Sequence, residues 1–466
     1  MKRGLYILLI ANCLLLVSPS LCGEGRGDVY LSLDSCLVLA RHNHPSLRKA
    51  QLDVARAEEV RAQALTKYFP QVQGTAFGFH ALHPLVEVGI DDIGNASVRD
   101  LLTALYGNYG AAMGLDNHLN LFEYGYTAGV SAIQPVFMGG KIVAGNRLAK
   151  VGVEAAKLQV EMSERDVLEQ VEQTYWLVYG LQQKQRLIDE ALLLLDTLSL
   201  TVSAAVEAGL ALPSDSTQVA LRRDEVLRNQ LQLRSGLSLA RQALALSIGR
   251  PITDTILIAD SLSFSPQDGL SASVALQQSG PTGEAGLTPE SQLLTLQVRA
   301  AELTRRMTLA DALPQLAVGA GYGYSHFQTN ILRDGLNSNN KGNGALFVTM
   351  RVPLSAWWET AHKLKEQRYA VEQAQLDADY LGAQLSLRSQ QATDQLMAAQ
   401  ALVQLQQNAC FHAEEAYRLT QINYEAGRAT ITDLLKQQTA LTQAQSDLTD
   451  ALIAFRLALR RYNNTR

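Results

Sequence analysis

Few residue patterns in this chain could carry covalent chemistry. Gly319-x-Gly321-x-Gly323 has the glycine spacing of a nucleotide loop, but no helix with capped amide groups follows to receive a phosphate. Small residues lining one face of a strand account for the same letters. His42 with His44, and His80 with His83, are spaced as metal ligands could be, yet no nearby cysteine or carboxylate completes a set. Surface or loop histidines are the plainer reading. Gly-x-Ser-x-Gly, a P-loop and His-Glu-x-x-His are all absent. The residues therefore assign no catalytic group, no metal and no cofactor.

Two other stretches hold a more specific pattern. YEAGRATITDLL at 424–435 and VEAGLALPSDST at 206–217 both read Glu-Ala-Gly, five residues, then Asp. Gly209 and Gly427 are 218 residues apart (427 − 209), and so are Asp215 and Asp433 (433 − 215). Each stretch interrupts a very long helical pattern. Glycine supplies a left-handed residue that other side chains resist, so each break reads as the tip of a helical hairpin. In the second, Thr430 or Thr432 caps the returning helix, with Asp433 in its first turn. In the first, Pro213 and Ser214 take that place.

The same offset organises the chain. Gln134-Pro135-Val136-Phe137 is matched by Val352-Pro353-Leu354-Ser355, again 218 residues on (353 − 135). Upstream, Phe69-Pro70-Gln71-Val72 matches Leu313-Pro314-Gln315-Leu316 at an offset of 244 (314 − 70), so the first half carries about 26 extra residues, placed in the Gly/Asn/Asp-rich segment 81–125. A period this long indicates duplication, not a solenoid. The expected organisation is a signal peptide at 1–22, a first repeat at 23–250, a Pro/Gly/Ser-rich connector at 251–287 and a second repeat at 288–466.

With 466 residues, the chain is too long for one compact core. Lys2 and Arg3 precede an apolar run from Leu5 to Val17, then Ser18-Pro19-Ser20: a secretory signal, too short to span a membrane as a helix. Small residues suit cleavage after Cys22; Leu21 is a poor fit to the alternative, a lipidated Cys22. Cys36 and Cys410 read as plain buried thiols, and a net charge of −5 without a basic block excludes nucleic acid.

Each repeat reads as helix, strand, loop, strand, long helix, tip and returning helix. The first helices are 34–66 and 288–312; the long ones run from about 138 to 207 and 356 to 425; the returning ones cover 215–249 and 431–463. About 70 residues at ~1.5 Å each would reach roughly 100 Å, far from an ordinary globular helix. Leu434, Leu435, Leu441, Leu448, Leu452, Phe455 and Leu459 form a sparse stripe, suited to a coiled-coil wall.

The strands alternate. Leu316, Val318, Ala320, Tyr322 and Tyr324 share one face of 315–326, and Leu346, Val348, Met350 and Val352 share one face of 345–352. In 126–133, Tyr126, Ala128, Val130 and Ala132 oppose Thr127, Gly129, Ser131 and Ile133. Segments of about ten residues, apolar on one side and small or polar on the other, fit a transmembrane β-barrel; a soluble sheet with one buried face shares the pattern. Four strands cannot close a barrel, and lipid does not tolerate an open edge, so strands in a membrane would require an oligomer; three chains would give twelve strands.

Taken together, the repeat, the prolines bounding each strand pair, QPVFMGGK at 134–141, the Tyr424…Gly427…Asp433 hairpin, HPSLRKAQLDVARAEEVRAQALTKYFPQ at 44–71 and ALALSIGRP at 243–251 resemble the TolC-type outer-membrane efflux proteins across residues 30–463. The resemblance implies an α+β membrane protein: a homotrimer whose 12-stranded β-barrel, four strands per protomer, continues into a periplasmic α-helical coiled-coil barrel. It implies an outer-membrane exit duct, not an enzyme, working with a periplasmic adaptor protein and an inner-membrane transporter in efflux or type I secretion. An equatorial girdle would come from the connector and the termini. By family position, Tyr424 and Asp215 pair at a gate of the hairpin tips, which opens like an iris. Gly209, Ser214, Gly427 and Thr432 belong to the same tips. Where some members carry two aspartates one turn apart, this chain has Asp433 and Lys436, which would weaken cation selectivity. Gly139-Gly140 of the first half becomes Trp357-Trp358 in the second; with Tyr322 and Tyr324 these are candidate membrane-interface aromatics. The competing reading is a soluble periplasmic coiled-coil adaptor or scaffold.

Overall fold

In the computed structural model of the protein, the described residues are 29–83, 86–110, 118–253, 256–258, 288–330, 341–354 and 357–465. The expected signal peptide with Cys22, and most of the 251–287 connector, lie outside them. The chain divides into two compact units, each assembled from both sequence halves: Asp53–Leu158 with Gln292–Leu381, and Met1–Leu52 with Gln159–Ser291 and Gly382–Arg466.

The first unit holds the larger sheet. Its strands are β2 (Gln71–His80), β3 (Val86–Gly89), β4 (His118–Met138), β6 (Gln315–Asn330) and β7 (Lys341–Arg351). They run β2-β4-β6-β7, all antiparallel, and β3 pairs with the start of β4 where β2 has ended. Register decides the faces. Val72 lies opposite Ala132, Val130 opposite Tyr322, Ala320 opposite Leu346 and Val318 opposite Val348. One face thus collects most of the aliphatic and tyrosine side chains of the four long strands. Gln71, Gln73, Thr75, Thr127, Ser131, Thr349 and Arg351 occupy the other, with Gly319, Gly321 and Gly323 and the larger Phe77, Phe79, Ile133 and Phe347.

Two glycines make room for large neighbours. The Phe347 ring fills the space a side chain at Gly319 would need, and Tyr322 does the same over Gly342. Pro135 was expected to end its strand, but β4 continues to Met138. A register shift between Pro135 and Phe137 marks a bulge, the usual place for a residue without an amide donor. Beyond the shift, Phe137 lies opposite Leu316 and joins the apolar face.

The inserted segment 81–125 is more than a loop. Its described part holds β3, a 3-10 turn (Ile90–Asp92) and α3 (Ala96–Leu105); β4 begins within it. Asn95 caps α3, its Oδ1 accepting from the Ser97 and Val98 amides at 3.1 and 3.4 Å.

The second unit is mostly helical. α1 (Leu33–Asn43) and α2 (Pro45–Thr66) were expected as one helix. They break at His44, which is extended (ψ 125°) because the ring of Pro45 disfavours helical geometry before it. α4 (Lys141–Glu207) and α5 (Pro213–Ser247) form one hairpin; α7 (Trp357–Glu425) and α8 (Ile431–Asn464) form the other. α6 (Pro289–Asp311), which opens the second repeat, belongs almost wholly to the first unit, and α2, α4 and α7 have residues in both. Their cores are narrow. Tyr175, Trp176 and Tyr179 of α4 pack with Cys36, Leu47, Leu244, Ile248 and Ile256. Here β1 (Val29–Leu31) pairs in parallel with β5 (Ile256–Ile258), and the Tyr175 hydroxyl donates to the Leu31 carbonyl at 3.2 Å. Leu396, Val403, Phe455 and Tyr462 join α7 to α8. Many large side chains remain outside these cores: Leu193, Leu200, Leu231, Tyr380, Leu405 and Phe411 are all exposed.

Candidate functional site

The glycine turns of the two hairpin tips are built alike. Gly209 and Gly427 have φ of 73° and 71°. After the first helix, the Gly209 amide donates to the Val206 carbonyl at 3.0 Å, and the Leu210 and Ala211 amides to Ala205 at 2.8 and 3.2 Å. The second tip repeats this: Gly427 to Tyr424 at 2.9 Å, Arg428 and Ala429 to Asn423 at 2.8 and 3.2 Å. The carbonyls left over at the helix end are satisfied by the turn itself. Asp215 and Asp433 then close the returning helices, accepting from the Leu212 and Thr430 amides, each at 3.2 Å. Of the two threonines considered as caps, Thr430 is the one: its Oγ1 accepts from the Asp433 amide at 3.2 Å and its hydroxyl bonds the carboxylate at 2.7 Å.

Those bonds act on charge. The Thr430 hydroxyl, then its amide, and finally nearby Lys436 hold the Asp433 carboxyl below its ordinary value. Tyr424 is half-buried, and burial first, then the charge of Asp215, push its phenol up. The two residues paired by resemblance thus lie within electrostatic reach in the same chain. Between the hairpins, Ile431, Leu434 and Leu435 of α8 pack with Val202, Val219 and Val226, and Tyr424 borders that cluster. Thr432 does not cap; its Oγ1 donates to Gln218 Oε1 at 2.5 Å, joining the first turn of α8 to the second turn of α5. Nothing local in the sequence pointed to Gln218. Ser214 and Lys436 are exposed.

The other candidate surface is the apolar sheet face. Leu346 is 88% exposed, and Val72, Val130, Tyr322, Val348 and Met350 are exposed with it. Tyr126 stacks on Tyr324 with ring centroids 6.2 Å apart, and His326 lies 5.2 Å from Tyr126, forming a ring cluster toward one end of the strands. Trp357 and Trp358 are exposed at the start of α7, just after β7. Their counterparts Gly139 and Gly140 have φ of 62° and 85°, and a methyl at Gly139 would come within 2.6 Å of the Ala310 carbonyl oxygen. The two halves diverge here because one needs a tight turn and the other starts its helix.

Among the described residues, no group of three or more His, Cys, Asp or Glu comes together to hold a metal ion, and no helix is long and apolar enough to cross a membrane. Cys36 is buried, and partial burial raises the Cys410 thiol.

Comparison with known proteins agrees with this geometry. No curated sequence matches the chain. The fold is similar to the outer membrane protein VceC of Vibrio cholerae (18% identity, 93% of this chain and 95% of that one, TM-score 0.70). It is also similar to the CmeC outer membrane channel of Campylobacter jejuni (12%, 93% and 85%, 0.75). The MtrE outer membrane channel of Neisseria gonorrhoeae compares at 14%, 93% and 88%, with a TM-score of 0.67. Residues 36–250 and 292–461 match the model of the outer membrane efflux protein family, and the chain belongs to that family.

Proposed function

We propose that the protein is the outer-membrane exit duct of a tripartite efflux or secretion system. One observation carries the reading: a sheet whose apolar face is exposed and whose edge strands β2 and β7 have free outer edges among the described residues. An outer membrane efflux channel needs such a face against lipid, but lipid admits no open edge. Three copies close the sheet at twelve strands, four at each level, and the exposed leucines and aromatics of the long helices become contacts between copies. The helices then form the wall of a periplasmic tunnel that meets a periplasmic adaptor and an inner-membrane transporter. Membership of a channel family, together with a site built of turns and caps, gives no role to catalysis.

The hairpin tips form the gate. Tyr424 and Asp215 restrain α7 against α5, and outward movement of the second hairpin opens the entrance. Asp433 and Lys436 set its ion preference. A soluble scaffold is not favoured, since it has no use for an exposed apolar sheet face. The test is reconstitution in planar bilayers. Detergent-purified protein should insert and give discrete ion-conducting steps; protein that stays monomeric on sizing and never conducts would count against the duct.

A further inference from the structure

The larger sheet is almost free of charge, and register places its exception. Where the four long strands lie side by side, at 71–79, 125–133, 315–325 and 343–351, the residues include no Asp, Glu or Lys and a single Arg, Arg351. Arg351 pairs with Gln315 and so lies on the polar face with Thr349, Ser131 and Gln71, while Met350 beside it belongs to the apolar face. It is the last residue of β7, at the end of the sheet where the chain passes into the long helix α7.

The fold does not neutralise this charge. Arg351 is exposed and pairs with no carboxylate among the described residues. The nearest carboxylates along the two paired strands are already taken. Asp311, four residues before Gln315 (315 − 311), is held by Lys141 Nζ at 2.6 Å. Glu359, eight residues after Arg351 (359 − 351), is held by Lys363 Nζ at 2.6 Å. A lone arginine on a face of amides, hydroxyls, glycines and rings leaves an uncompensated positive field.

We infer that three copies of Arg351 form a cationic collar at the helix-side end of the barrel lumen, and that this collar favours anionic solutes in passage. The inference rests on the trimeric duct proposed above. In that duct the polar face lines the lumen, so each copy contributes one guanidinium to the same water-filled ring. Rings of Arg or Lys are a general means of selecting anions in a pore. A guanidinium stays charged at every working pH, so the preference does not titrate. Neighbouring copies hold their Arg351 residues four strands apart, about 19 Å around the wall. The Debye length is about 30 Å at 0.01 M salt and about 3 Å at 1 M. The three charges therefore act together in dilute salt and are screened from one another in concentrated salt. The tips hold charges of both signs in Asp433 and Lys436; the collar holds one sign alone.

Reversal potentials in planar bilayers test this, with the full-length protein in a KCl gradient. Arg351→Gln should move the reversal potential toward that of potassium, and Arg351→Glu should move it further the same way. Arg351→Lys should keep the wild-type value. The shifts should be largest in dilute KCl and disappear at about 1 M, where screening is nearly complete. Channels that conduct, but whose reversal potential in dilute salt is the same in the wild type and in the Gln and Glu variants, overturn the collar and leave the duct standing. A wild type that never conducts removes both. An Arg351→Gln variant that inserts poorly, yet forms channels with the wild-type reversal potential, would assign Arg351 to lipid headgroups and also overturn the collar.

Discussion

Replacing Leu346 with arginine separates a lipid-facing sheet from a water-facing one by the size of its effect. Leu346 lies opposite Ala320, midway between Leu316 and Tyr324 on β6. Each is four residues away, about 13 Å along a strand, or about 10 Å of depth at the usual barrel tilt. Leu346 therefore sits near the midplane of the apolar band. There an arginine costs about 2–4 kcal/mol in each chain. In water, the same change at an 88% exposed position would be worth no more than about 0.5 kcal/mol either way. The neighbour provides the control. Ala345 pairs with Gly321 on the polar face, so Ala345→Arg should be nearly neutral. Both variants would be unfolded with denaturant from liposomes, comparing midpoints at equal slope. A neutral Leu346→Arg, or an Ala345→Arg that costs as much, would refute the assignment of faces.

Other consequences concern the tips. Tyr424→Phe and Asp215→Ala should each raise single-channel conductance, whereas unchanged conductance in both argues against their restraint. Gly209→Ala and Gly427→Ala put a Cβ into open space at positive φ, so each should cost only the conformational penalty, about 1–2 kcal/mol by equilibrium unfolding. Because the Asp433 carboxyl is depressed in the folded chain, its contribution is present above its unfolded pKa and is lost as pH falls through the folded one. Asp433→Asn should thus weaken the protein near neutrality and match it in strong acid. Glu172 behaves oppositely. Burial raises it despite Arg460 at 3.5 Å, so stability falls as pH rises through the raised value, and Glu172→Gln should flatten that slope.

Much of this architecture could be read from the residues because the duplication wrote each signal twice. Gly209 and Gly427 marked both tips, and alternation at 315–326 and 345–352 assigned the faces that the register confirms. What escaped was nonlocal or masked by composition. Pro45 splits the first helix without changing its periodicity, so only the steric effect on His44 reveals the break. Pro135 looked like a strand end because the bulge that accommodates it leaves no trace in hydropathy. Asn95 was a legible cap in a segment taken for loop. The Gln218–Thr432 bond spans 214 residues, and its positions are special only once the repeat is laid over the folded tips.

Fractionating cells that express the protein, with a salt or carbonate wash followed by detergent, tests whether it resides in the outer membrane as a channel. The protein should stay with outer-membrane fragments through the wash and be released only by detergent, as a trimer. Recovery in the soluble periplasm without detergent would contradict it.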